Sequence, residues 1–126
     1  MKEDRILSQP PPVEPHTQHP RNFLNEAIHQ PVRLSILGLL AHAEKVDFAF
    51  LRTQLGLKDA NLSQHLTALE TLGYITIDKV FVGKRARTWV ALSDAGHAAF
   101  AEYLTVLQQI VAHPLDVPLP KERGNP

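Results

Sequence analysis

The 126-residue chain contains no cysteine. That absence excludes disulfide scaffolds, thiolate zinc sites, iron–sulfur clusters and cysteine nucleophiles together. Net charge is missing as well, since 13 lysines and arginines balance 13 aspartates and glutamates. A protein that packs polyanions by bulk charge is thereby excluded. A local basic patch is not, because binding follows the distribution of charge rather than its sum. No apolar stretch approaches the ~18–20 residues that span a bilayer, and the opening Met1–Ser8 has no signal-like apolar run. The expectation is a soluble, cytoplasmic protein with no membrane partner. There is no glycine-rich phosphate loop, nucleophile elbow or HExxH pair. Glu26, Glu44, Asp47, Asp59, Glu70, Asp78, Asp94 and Glu102 are scattered over element ends and faces, with no paired acid and base among them. The chain reads as a non-enzyme without a cofactor.

Proline is absent between Val32 and His113; five of the ten prolines lie in residues 1–20, one is Pro31, and four lie in 114–126. Residues 1–20 and 114–126 therefore read as proline-rich tails. They flank one folded block, 21–113, and a chain that is 44% hydrophobic can bury a core there. Asn22–Ile28 is a short amphipathic turn or two, and Pro31 suits the first turn of the next helix. That helix carries Val32, Leu34, Ile36, Leu37, Leu39 and Leu40 over most of its surface, so it should be central. Asp47 can cap a helix over Phe48–Leu55, closed by Gly56. Asp59 can cap the next, Ala60–Leu72, stopped by Gly73. The period then turns β-like over Tyr74–Val82 and again over Thr88–Leu92. These two strands form a hairpin around Gly83-Lys84-Arg85-Ala86-Arg87. Ser93 or Asp94 starts a last helix running to about Ala112. The class is mainly α with a small β-hairpin.

Two short helices joined by Gly56-Leu57-Lys58 have the pattern of a helix-turn-helix, whose second helix shows one face to DNA. At ~100° per residue, Leu62, Leu66 and Leu69 share an inward arc. Gln64, Thr67, Ala68 and Thr71 lie opposite, with Asn61 and Ser63 on the flanks. That outward set is small, polar and almost uncharged, which suits base edges better than plain solvation. The hairpin adds Lys79, Lys84, Arg85 and Arg87, with no acidic residue from 79 to 93. A cationic β tip following a helix-turn-helix can hold phosphates or enter the minor groove.

The residues also resemble a known family. Pro31-Val-Arg-Leu-Ser-Ile-Leu-Gly-Leu-Leu40 is similar to the opening of ArsR/MarR-type winged-helix transcriptional regulators. Asn61-Leu-Ser-Gln-His-Leu-Thr-Ala-Leu-Glu-Thr-Leu-Gly-Tyr-Ile75 resembles their recognition helix and its exit. Gly83-Lys84-Arg85 and Thr88-Trp89 resemble the wing, and Leu92-Ser-Asp-Ala-Gly96 the lead-in to the last helix. The resemblance covers about 22–112 and implies a winged helix-turn-helix with an N-terminal helix and a C-terminal dimerisation helix. It implies a homodimer on a pseudo-palindromic double-stranded DNA operator. Ser63, Gln64, His65 and Thr67 would enter the major groove, helped by Lys58 and Asn61, with Lys84, Arg85 and Arg87 on the wing. Phe100, Tyr103, Leu104, Leu107, Ile110 and Val111 form an apolar stripe at helical spacing, which the resemblance assigns to the dimer interface with Phe23 and Leu24. Some relatives bind zinc on this helix, but Asp94 and His97 do not match their spacing, so no metal is expected. Two further readings are a winged-helix protein–protein module without DNA binding, and a regulator gated by an unknown small-molecule effector at the dimer interface.

Overall fold

The computed structural model describes residues 19–112. The tails assigned above, apart from His19 and Pro20, lie outside the described residues, as does His113. The chain enters through a 3-10 turn, Pro20–Phe23, and a second turn at 26–28. Four helices follow, α1 Pro31–Leu40, α2 Phe48–Leu55, α3 Asp59–Thr71 and α4 Asp94–Val111. Three strands, β1 Val46–Asp47, β2 Ile75–Val82 and β3 Arg85–Leu92, make an antiparallel sheet in the order β1-β3-β2. Among the described residues no helix is long and apolar enough to cross a membrane.

Local chemistry explains most boundaries. Pro31 stands in the first turn of α1, and the Gln30 side chain accepts from the Arg33 amide at 2.8 Å. Asp47 caps α2 by accepting from the Ala49 amide. Gly56 closes α2 in the left-handed region at φ 62°, where a side chain would be strained. Ser93, rather than Asp94, caps α4, accepting from the Gly96 amide at 2.9 Å while its hydroxyl donates to the Gly73 carbonyl.

Three boundaries differ from expectation. Asp59 does not cap α3. It is the first helical residue, and its carboxylate instead takes Arg52 across the turn at 2.9 Å. An acid there still favours the helix N-terminus electrostatically. The hairpin is also tighter than anticipated, since β3 begins at Arg85 and leaves Gly83 and Lys84 as the turn. Gly83 at φ 66° permits so short a connection. Finally, the expected short N-terminal helix is a 3-10 turn whose sequel contributes Ile28 to the core, fully buried.

The core joins Ile36, Leu37 and Leu40 of α1, Leu51 of α2, Leu62, Leu66 and Leu69 of α3, and Ile75 and Val90 of the sheet. Val32, Leu34 and Leu39 pack against it, so α1 is central as its composition implies. Tyr103 of α4 closes the cluster from the far side.

Candidate nucleic-acid interface

The inward arc of α3 is filled as its spacing predicts, with Leu62, Leu66 and Leu69 all buried. Their burial turns the other side of the helix outward, and Asn61, Ser63, Gln64, Thr67 and Thr71 are exposed there. Lys58, just before the helix, is exposed too, whereas Ala68 is half-buried.

Register decides what the hairpin presents. Ile75 pairs with Leu92, Ile77 with Val90, Lys79 with Thr88 and Phe81 with Ala86, and alternation puts these four pairs on one face. The first two pairs cover the core. The third lines an open groove of about 300 Å³ together with Phe48, Leu66, Ser63 and Thr67. The outer row of α3 and the inner face of the wing therefore share one cleft. Lys79, one of the four basic residues of the hairpin, is the cation in it, although the resemblance did not assign it to the wing contacts. Its parity with Ile75 and Ile77 was the available signal.

Arg85 and Arg87 stand on the opposite face with Asp78, Val80, Val82 and Trp89. Arg87 is drawn toward the base of the wing. Its Nε lies 3.7 Å from Asp47 Oδ2, and its guanidinium sits 5.5 Å from the Trp89 ring centre. Lys45 lies over the same ring at 4.5 Å. Lys84 occupies the turn itself, so the expected basic tip is one lysine and one arginine, with Arg87 further back.

His65, which the resemblance places among the groove-entering residues, is turned toward α1. It is half-buried, and its Nδ1 accepts from Arg33 Nε at 3.3 Å. Arg33 is itself held by donating to the Ala27 carbonyl at 3.2 Å. Burial first, and the Arg33 guanidinium second, hold the His65 pKa below its ordinary value. An acceptor at Nδ1 puts the proton of the neutral ring on Nε2. Arg33 thus ties α1 to α3 through His65, a contact that its place in the α1 motif did not reveal.

The apolar stripe of α4 divides in two. Gly96, Tyr103 and Val106 are buried within the chain. Tyr103 is 1% exposed, its hydroxyl 2.8 Å from His29 Nδ1, so it has no surface left for a second subunit. The neighbouring row, Phe100, Leu104, Leu107 and Val111, runs at spacings of four, three and four. Leu104 and Val111 in it are 44% and 80% exposed. Ile110 is half-buried, Leu24 packs on the core, and Phe23 is exposed. Among the described residues no three metal-binding side chains come together.

Comparison with known proteins agrees with this geometry. Residues 32–111 match the family described as winged helix DNA-binding domain. An uncharacterized protein of Methanocaldococcus jannaschii is 34% identical over 79 residues, which is 63% of this chain and 86% of that one. A solved transcriptional regulator homologue from Pyrococcus horikoshii has a TM-score of 0.67 at 30% identity, covering 74% of this chain and 91% of its own. A MarR-family transcriptional regulator from a Rhodococcus species shares the fold, with a TM-score of 0.52, 17% identity, and coverage of 81% and 69%. The chain belongs to the winged helix DNA-binding domain family, and its architecture is that of a DNA-binding transcriptional regulator.

Proposed function

We propose that the protein is a homodimeric, cytoplasmic repressor, not an enzyme, that binds a pseudo-palindromic operator. One α3 helix per protomer reads a half-site in the major groove, and two-fold symmetry spaces the half-sites by about one helical turn, ~34 Å. Gln64 and Asn61 suit adenine edges, and Ser63 and Thr67 suit bases or phosphates. Lys58, Lys79, Lys84 and Arg85 hold backbone or the adjacent minor groove. The observation that carries this reading is the cleft in which the uncharged polar row of α3 meets Lys79 and Thr88 of the wing.

The exposed row Leu104–Val111 of α4, extended by Phe100 and Leu107, is the surface we assign to dimerisation. A hollow of about 440 Å³ between Phe23, Asn25, Ala98, Glu102 and Tyr103 lies on the other flank of α4, away from that surface, and we assign an effector to it rather than to the dimer interface.

The test is fluorescence anisotropy with a labelled duplex from the DNA upstream of the protein's own gene, with random duplex as competitor. Binding that falls steeply between roughly 50 and 200 mM salt yet survives competitor supports the proposal. Arg85→Ala should weaken binding to every duplex and lower the salt slope by about one, whereas Gln64→Ala should change which sequences are preferred. Absence of binding at low salt would replace the proposal with the protein–protein module.

A further inference from the structure

The outermost pair on the groove-facing side of the wing is Phe81 with Ala86. Nothing of the core lies beneath it, and Phe81 is 67% exposed. Val80 and Val82, on the reverse face, are 39% and 68% exposed, so the end of the hairpin is apolar on both sides. Ala86 is too small to cover the ring opposite it. An uncovered apolar hairpin end invites aggregation unless something occupies it in use.

The rim identifies the occupant. Lys79 shares the face of Phe81, Lys84 occupies the turn beside it and Arg85 stands next to the turn on the reverse face, and no acid occurs from 79 to 93. The matching partner is a polyanion with an apolar inner surface. The DNA minor groove has both properties, with phosphates along its edges and deoxyribose and base edges within. An anionic bilayer has them too. The tip, however, continues the face on which Lys79 and Thr88 meet Ser63 and Thr67, so the duplex read by α3 is the surface the tip reaches.

We propose that Phe81 is an apolar wedge that inserts into the minor groove flanking each half-site and partly unstacks a base step there. The proposal rests on the DNA-binding reading above and adds a specificity residue to it. The wedge requires a step that opens readily, so pyrimidine–purine steps are favoured at that position without any hydrogen bond to a base. Because no phosphate is neutralised by a phenyl ring, this share of the affinity does not depend on salt.

The experiment uses the full chain and an operator selected by it from a random duplex pool, with 2-aminopurine placed in turn at each flanking step. On binding, wild type should brighten 2-aminopurine at one flanking step on each side, and Phe81→Leu should largely retain the signal. Phe81→Ala should lose the signal and about tenfold in affinity, with an unchanged salt slope. Arg85→Ala should show the converse, a reduced salt slope with the brightening kept. Circular dichroism of the variants checks folding, which the exposure of Phe81 leaves undisturbed. Wild-type affinity and brightening in Phe81→Ala, or dark flanking steps in the wild-type complex, overturn the wedge while leaving the DNA-binding reading intact. Failure of wild type to select any duplex overturns that reading and the wedge with it. Phe81-dependent binding to phosphatidylserine vesicles in place of DNA would assign the tip to membranes instead.

Discussion

Replacing Gly96 by alanine sets two effects of opposite sign against each other. Gly96 lies in the first turn of α4, and alanine is the better helix former by up to ~1 kcal/mol, which alone predicts stabilisation. The structure opposes it. A Cβ at Gly96 would overlap the Tyr74 carbonyl oxygen and crowd Leu92 Cδ2 at 3.1 Å. The first obstacle is backbone and tied in place, because the Tyr74 carbonyl accepts from the Ser93 amide at 3.0 Å and Ser93 caps the same helix. Relief requires moving α4 off the start of β2. Overpacking of this kind costs about 1–3 kcal/mol, and loss of the Ser93–Tyr74 bond adds about 1 kcal/mol. Against the propensity gain, Gly96→Ala should destabilise by about 1–3 kcal/mol, a fall in Tm of roughly 5–20 °C for a domain of this size. Gly38 in α1 supplies the control, since a Cβ there meets nothing within 4 Å. Gly38→Ala should stabilise by about 0.5–1 kcal/mol. Urea unfolding at one fixed protein concentration measures both, because the proposed dimerisation would make stability depend on concentration. A Gly96→Ala protein at least as stable as wild type would refute the tight junction between α4 and β2. The same displacement would tilt α4 against the DNA-binding elements, so the destabilised variant should also bind duplex more weakly.

The remaining predictions concern His65 and α4. With its folded pKa lowered, neutral His65 contributes its full stability above the unfolded value of about 6.5, and that contribution is lost as pH falls from there through the folded pKa. Arg33→Met should raise the His65 pKa but leave it below the ordinary value, because burial is the larger cause; an NMR titration showing no rise would contradict the Arg33 contact. Leu104→Glu should give a monomer by light scattering with monomer stability changed by no more than about 0.5 kcal/mol, since the side chain is 44% exposed. A Leu104→Glu protein that remains dimeric would move the interface elsewhere. Tyr103→Ala should instead cost the monomer about 3–5 kcal/mol and remove the tie to His29, read as a lowered urea midpoint.

Much of the fold was legible because its signals are local. A cap needs an acceptor two or three residues before an amide, as at Asp47 and Ser93. The stop after α2 needs a glycine able to take φ 62°. The inward arc of α3 needs leucines three and four apart. The exposed polar row of α3 follows from that arc by exclusion, so the centre of the candidate site was visible in the sequence too. Asp59 shows the limit of such reasoning. It satisfies the composition rule for a cap, yet Arg52, seven residues back, takes its carboxylate.

The sequence by itself determined the kind and order of the four helices and the hairpin, though not the short strand β1, and which side chains of α3 face outward, since neighbours a few residues apart settle both. Only the tertiary structure decided which of two adjacent apolar rows on α4 is core. Helical spacing treats Tyr103 and Leu104 alike, and the choice falls to the N-terminal segment, which packs on α4 and brings His29 to the Tyr103 hydroxyl from 74 residues away. Folding also turned His65 back to Arg33, 32 residues earlier, and set Lys79 against Ser63 and Thr67. These pairings depend on which element comes to lie over which, and no local propensity encodes that.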